Sequence, residues 1–258
     1  MINYIFNLNY IIQALLATLF TYFITALGAS IVLFIKKLNK NFLDAMLGFA
    51  AGIMIAASFF SLILPAIDMS NNLKLIPWLV ISIGFLGGGL LLFIGDKLFD
   101  KFSSTNKRTI MLMFSITLHN IPEGMAIGVA FGSLFYGLDG ATIASAWMLA
   151  LGIGIQNFPE GSAISIPLRR DGYSRKKSFF LGQISGIVEP ISGVIGALLV
   201  LKMRYILPYL LSFAAGAMIY VVVEELIPES QTNKKKEIMA LFTLIGFTIM
   251  MILDLALS

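Results

Sequence analysis

The sequence predicts an all-α integral membrane protein of eight transmembrane helices, and three observations predict it. Of its 258 residues, 58% are hydrophobic and only 12% charged, and the mean hydropathy is +0.91, far from a soluble composition. Eight apolar windows recur along the chain, each long enough to cross a hydrocarbon core about 30 Å thick. Lys and Arg collect in alternate loops, which marks the cytoplasmic side. A β-barrel is disfavoured, because barrel strands alternate over roughly 10-residue segments whereas these runs are continuous.

The windows are justified in order. The first, 9–35, has no basic segment before it and no small-residue cleavage site, so it reads as a retained helix rather than a signal peptide. The second, 43–67, presents Gly48, Ala51, Gly52, Ala56 and Ser58, a small-residue surface that allows close backbone approach and is suited to a homodimer. It also carries Met54, either apolar filler or a soft thioether ligand, and Ser61. Pro65 and Asp68 end it on the outer side, where an acid draws cations toward an entrance. The third, 75–95, leads into a basic loop. The fourth, 109–132, and fifth, 140–167, contain the polar segments treated below. The sixth, 178–201, has Glu189 beside Pro190 near its middle. The seventh, 205–228, ends in Glu224, Glu225, Pro228 and Glu229, either an exit relay or an interfacial acidic cap. The eighth is 238–257. Asp44 and Asp96 read as interfacial, and Asp254 as a residue of the outer mouth.

Fifteen of the 18 basic residues fall in odd-numbered loops, among them Lys36, Lys37, Lys40, Lys97, Arg108, Arg169, Arg175 and Lys235. Lys74, Lys202 and Arg204 fall in loops two and six. Odd loops are therefore cytoplasmic, both termini lie outside, and residues 1–258 form a single transmembrane domain. The net charge of +4 is explained by this topology and calls for no nucleic-acid partner. With no cysteine, disulfides and thiolate metal sites are excluded.

Function is written in a repeat. His119-Asn120-Ile121-Pro122-Glu123-Gly124 and Gln156-Asn157-Phe158-Pro159-Glu160-Gly161 share one pattern 37 residues apart, each inside an apolar run. An acid at the bilayer centre costs about 2.5 kcal/mol or more, so such residues usually line an interior path. Positions i and i+4 share a helix face, which stands His119 over Glu123 and Gln156 over Glu160. Asn120 and Asn157 sit about 100° around the helix, beside a second site sharing the glutamates. Pro122 and Pro159 remove a backbone donor each, so the carbonyls near Leu118 and Ile155 lose their helical partners and the helices should kink. An isolated buried polar group is often interhelical glue, but a duplicated six-residue pattern with two acids points to a metal passing through the membrane. An imidazole, amides and shared carboxylates suit Zn²⁺, Cd²⁺, Fe²⁺ or Mn²⁺ better than Cu⁺. An intramembrane metal-dependent hydrolase is the alternative from another class. The single histidine and the lack of a His-Glu-x-x-His pattern speak against it. A metal sensor would be expected to carry a soluble signalling domain, which the eight windows leave no room for.

The two Asn-x-Pro-Glu-Gly segments, read with eight helices and outside termini, resemble the Zrt- and Irt-like (ZIP) divalent-metal transporters, most closely the short prokaryotic branch, and so imply the plasma membrane of a prokaryote. The similarity extends to Phe49–Leu62 in helix two, Glu189-Pro190 in helix six, and Phe213–Met218 with Glu224–Glu229 in helix seven. The resemblance implies a first metal site of Met54, His119, Glu123, Gln156 and Glu160, and a second of Asn120, Glu123, Asn157, Glu160 and Glu189. It also implies zinc as cargo, an inverted repeat of helices 1–3 and 6–8 around helices 4–5, and a path with Asp68 and Ser61 on the entrance side and Glu224 and Glu225 at the exit. Many relatives carry histidine where Gln156 stands and some carry aspartate where Asn157 stands.

Overall fold

The computed structural model describes residues 8–35, 39–101, 107–138, 141–170 and 172–257; Lys36 and Lys37 of the first basic loop lie outside them. Its described residues form eight helices and no strand: α1 Tyr10–Phe34, α2 Lys40–Asn72, α3 Pro77–Lys101, α4 Lys107–Phe135, α5 Ile143–Arg170, α6 Arg175–Leu198, α7 Val200–Ser230 and α8 Lys236–Leu257. Six of these are long and apolar enough to cross a membrane. The two outside that six, α4 and α5, are 29 and 28 residues long and carry the duplicated polar segments that lower their apolar content.

Polar side chains start three of the helices. Asn9 accepts from the Ile11 amide at 2.9 Å, Asn39 from Asn41 at 3.0 Å and Ser174 from Lys177 at 3.3 Å, each satisfying an orphan donor of a first turn. Proline shapes the interiors. α2 widens to a π turn at Ser58–Ile63 just before Pro65, and α7 does the same at Val222–Leu226 before Pro228, because a residue without an N–H leaves a carbonyl that the wider turn accommodates. α6 tightens into a 3₁₀ turn at Ser185–Ile187 before Pro190. α4 and α5 run helical through Pro122 and Pro159.

Two boundaries differ from the sequence expectation. Pro65 and Asp68 do not end α2. Pro65 sits in the first turn of a further segment, Leu64–Asn72, where its missing N–H costs nothing, and the helix stops at Leu73 with Lys74 left-handed at φ 58°. The sixth loop is one residue, Leu199, whose carbonyl already accepts from Lys202 and Met203. Lys202 and Arg204 therefore lie in the first turns of α7.

Packing sorts the helices into two groups, joined chiefly where α4 meets α7. α1, α4, α5 and α6 contact one another, most extensively α1 with α5 and α4 with α6. α7 packs on α3, α8 on α2, and α2 meets α7. Each of the four leading pairs is stitched by glycines lying on a partner carbonyl: Gly28 on Phe158 and Gly161 on Thr25; Gly128 on Gly193 and Gly196 on Met125; Gly88 on Phe213 and Gly216 on Phe85; Gly52 on Thr243 and Gly246 on Phe49. Between membrane helices attraction comes from close van der Waals contact rather than water exclusion, which is why small residues sit at these crossings. The small face of α2, read from the sequence as a close-packing surface, is met by α8 at Gly48 and Gly52. In the apolar 18-residue windows of α2 and α7 61% of the residues are buried, whereas in those of α3 and α8 22% and 17% are. Leu86, Leu90, Ile94, Leu244 and Ile252 stand exposed on the latter two, an apolar rim that suits lipid.

A Cβ at Gly216 would overlap the Phe85 carbonyl, while one at Gly152 meets nothing within 4 Å. Gly216→Ala should cost about 1–3 kcal/mol through overpacking. Gly152→Ala should be neutral or stabilising by up to about 1 kcal/mol from helix propensity. Thermal melting in detergent reads both, and equal melts would refute the account of these crossings.

Candidate metal centre

His119 and Glu123 on α4 and Glu160 on α5 bring their ligand atoms within 4.8 Å of one another, all three residues at most 1% exposed. His119 Nε2 stands 3.1 Å from Glu123 Oε1 and 3.3 Å from Glu160 Oε1. Donors bound 2.0–2.2 Å from a tetrahedral metal are roughly 3.4 Å apart, so both distances from the imidazole nitrogen match the spacing of a coordination shell. The helical register does this, since i and i+4 share a face on α4 and the α5 segment offers the same ladder.

Gln156 joins them. Its amide donates to Glu123 Oε1 and its carbonyl accepts from Ser61 of α2 at 3.0 Å. Ser61 Oγ also stands 2.7 Å from Asp254 Oδ1 on α8, so a polar string runs from Asp254 through Ser61 and Gln156 to the glutamates. Two carboxylate charges no more than 4.8 Å apart repel by about 3.5 kcal/mol at an effective dielectric of about 20, a repulsion that a dication between them would reverse.

The second set of predicted residues lies one helical step away. Asn120 Nδ2 donates to the Ser185 carbonyl at 3.0 Å. Asn157 Nδ2 donates to Glu189 Oε1 at 2.9 Å, and Thr21 of α1 holds Glu189 Oε2. Asn120 Oδ1, Glu123 Oε2, Asn157 Oδ1 and Glu160 Oε2 are buried and carry no hydrogen bond. Buried polar atoms are rarely left so. Four unsatisfied oxygens on the two repeated segments are candidate donors to a cation, and the residue types present therefore fit one.

The other predicted residues are placed as follows. Met54 is buried on α2 and makes no polar contact with the cluster beyond its own helix, where its carbonyl accepts from Ser58. Asp68 is exposed near the end of α2, Glu224 is exposed, and Glu225 is half-buried. Glu224 lines an apolar groove between α3 and α7 with Phe85, Phe93 and Gly216. A cavity of about 760 Å³ is lined by Glu123, Ser61 and Ile153 and also by Asn72 and Arg204. Asn72 ends α2 at the opposite end from Lys40, so the cavity extends toward the side of the bundle away from Lys40. Sequence reasoning missed the roles of Asp254 and Thr21. The signal for Thr21 was present in Thr18, Thr21 and Thr25, a polar stripe on one face of an otherwise apolar helix.

Ser61 supports Gln156 from outside the cluster, and removing such a partner typically costs 10–100-fold in metal affinity. Ser61→Ala should weaken zinc binding about 10-fold and Glu123→Gln by more, as read by equilibrium dialysis of the purified protein. Unchanged binding in Ser61→Ala would show that the string from Asp254 is incidental.

The family model described as ZIP Zinc transporter matches residues 100–254. The human Zinc transporter ZIP11 is 34% identical, covering 96% of this chain and 98% of that protein. Zinc transporter ZIPB of Bordetella bronchiseptica is 35% identical over 91% of this chain and 78% of its own length. Zinc transporter ZupT of Streptococcus mutans is 32% identical over 88% and 90%. With the duplicated motif, the all-helical fold and these similarities, the chain belongs to the ZIP family of membrane metal transporters.

Proposed function

We propose that this chain carries divalent transition metal, zinc first, into the cytoplasm through a centre built by α4 and α5. The observation that carries the reading is the convergence of His119, Glu123 and Glu160 in a fully buried cluster, flanked by four unsatisfied oxygens. The relatives' names as zinc transporters support zinc as cargo, and one imidazole among oxygens also admits Cd²⁺, Fe²⁺ and Mn²⁺. Two subsites share Glu123 and Glu160. His119, Gln156 and Met54 complete the first, and Asn120, Asn157 and Glu189 the second. Amide donors balance none of the cation's charge, which favours release after binding.

Eight spans with both termini outside agree with the basic residues at one end of the bundle. The matched pairings of α1 with α5 and α6 with α4, and of α3 with α7 and α8 with α2, support an inverted repeat of α1–α3 and α6–α8, the logic of many transporters. The cavity mouth at the other end is then the entrance, with Asp68 near it and Ser61 and Asp254 beside the cluster. Glu224 and Glu225 lie on the cytoplasmic side as exit acids. The seam between the two helix groups, with α2 and α8 on one side of the cluster and α4 and α5 on the other, is where one group would rock against the other.

Radioactive zinc flux into proteoliposomes tests the reading. Uptake should fall to background in Glu123→Ala and in Glu160→Ala, while both variants still insert and fold. Cd²⁺, Fe²⁺ and Mn²⁺ should compete in the order of their affinity. Retained uptake in either variant would remove the centre from the path.

A further inference from the structure

We propose that the outer half of the cavity is a docking site for a small carboxylate, held by Arg204, so that metal arrives as a carboxylate chelate and is handed inward to the centre. The proposal rests on the reading of α4 and α5 as the metal centre, and it adds the form in which the cargo is delivered.

The cavity has the build of a small-molecule site. Its volume of about 760 Å³ falls within the roughly 300–1,000 Å³ of ligand pockets, which are mostly apolar with a few placed polar groups. A dication with about six waters needs only roughly 200 Å³, at about 30 Å³ per water. Leu62, Met69, Val129 and Leu149 are among its apolar lining residues, and its charged ones are Glu123 and Arg204. Helical register puts these two at opposite ends. On α4 the lining runs outward from Glu123 to Ser133, roughly 15 Å of helix. On α7 Arg204, Leu207 and Leu211 line it from one face, with Arg204 nearest the start of the helix. The end of α2, where Asn72 also lines the cavity, packs on α7.

Arg204 is free to take an anion. It is half-buried, its guanidinium lies 5.2 Å over the Tyr205 ring, and among the described residues no carboxylate pairs with it. Stacking on a ring leaves the in-plane N–H fork open, and that fork matches a carboxylate through two parallel hydrogen bonds. The other two basic residues outside the odd-numbered loops stand nearby in the chain, Lys74 directly after the lining residue Leu73 and Lys202 two before Arg204. All three exceptions to the charge asymmetry therefore gather at this end. Asp68, the acid expected at the entrance, is exposed and is not among the lining residues. A bare dication on this route passes a like charge, whereas a chelate with a carboxylate to spare is attracted.

The step is a ligand exchange in which the metal keeps its charge. Its bonds to the chelate's oxygens break with their electron pairs left on those oxygens. The metal then takes the donors of Glu123, Glu160 and His119, and the freed carboxylate stays on Arg204 and returns outward.

Zinc flux into proteoliposomes at constant free zinc tests this, with citrate as the chelating probe. Raising the zinc–citrate complex should raise wild-type flux while labelled citrate stays outside. Succinate, a weakly chelating carboxylate, should compete and shrink that increment. Arg204→Gln should raise the half-saturating concentration of the complex about 10-fold, the loss expected on removing one charge-assisted pair. Flux from free zinc alone should rise in the same variant, because a like charge is gone. Arg204→Lys, which keeps the charge and loses the fork, should fall between the two for the complex and match wild type for free zinc; it carries the test alone if Arg204→Gln does not fold. The proposal is overturned if wild-type flux follows free zinc alone, if the citrate increment survives in Arg204→Gln, if bicarbonate or chloride gives an equal increment, or if labelled citrate enters with the zinc. Equilibrium dialysis of labelled citrate against the purified proteins separates the two readings. Citrate bound by wild type and lost in Arg204→Gln supports the carboxylate site even where wild type shows no Glu123-dependent flux, a result that would sink the transport reading. No citrate bound by wild type overturns the site whatever the flux.

Discussion

A carboxylate in the middle of a bilayer-sized bundle must be met by donors or by a cation, and this molecule holds three within a few helical turns: Glu123, Glu160 and Glu189, none more than 1% exposed. The cost of an uncompensated buried charge is large enough to dictate which helices must touch. Thr21 comes from α1, Ser61 from α2, His119 and Asn120 from α4, Gln156 and Asn157 from α5, and Asp254 from α8. α6 contributes Glu189 and the Ser185 carbonyl. Six of the eight helices are drawn to one locus by polar side chains, while α3 and α7 close the shell by packing.

The surrounding apolar architecture follows from the same solvent. Lipid offers no water to exclude, so the helices cohere through contact, and contact is closest where glycine lets a backbone lie on a carbonyl. The four reciprocal glycine crossings fix the pairs α1–α5, α4–α6, α3–α7 and α2–α8, and the first two pairs carry the ligand segments. Gly124 lies against Glu189 and Ser192, and Gly161 against Thr25. The glycine ending each repeated motif therefore sets the distance from its glutamate to the neighbouring helix, and the motif encodes a packing register as well as a ligand set.

Most of this was legible because it is local. Apolar length gave the helices, and i and i+4 spacing gave His119 beside Glu123, which lie 3.1 Å apart, whereas Gln156 reaches across to Glu123 and Ser61. Helix ends were less legible. Pro65 and Pro228 resemble stop signals, yet a widened turn upstream lets each helix continue, to Asn72 and Ser230. Leu199 separates α6 from α7 without any glycine or proline to announce it. The partners of the site were least legible, since the Thr21–Glu189 and Ser61–Asp254 contacts join residues 168 and 193 positions apart, a relation that no local spacing carries. Helix α1 alone hinted at such a contact, with three threonines on one face.

The balance of donors and acceptors indicates the sign of what belongs in the centre. The side-chain amide nitrogens of Asn120, Gln156 and Asn157 each donate to an oxygen of the protein. The unsatisfied atoms are oxygens at Asn120, Glu123, Asn157 and Glu160, with His119 Nδ1 and Asp254 Oδ2 at the margins. An anion would face the two bridging glutamates and would leave these oxygens unpaired. A cation satisfies several oxygens at once and neutralises the two bridging glutamates. A lone imidazole among those oxygens then separates borderline transition metals from the hard alkaline-earth ions, which prefer oxygen alone.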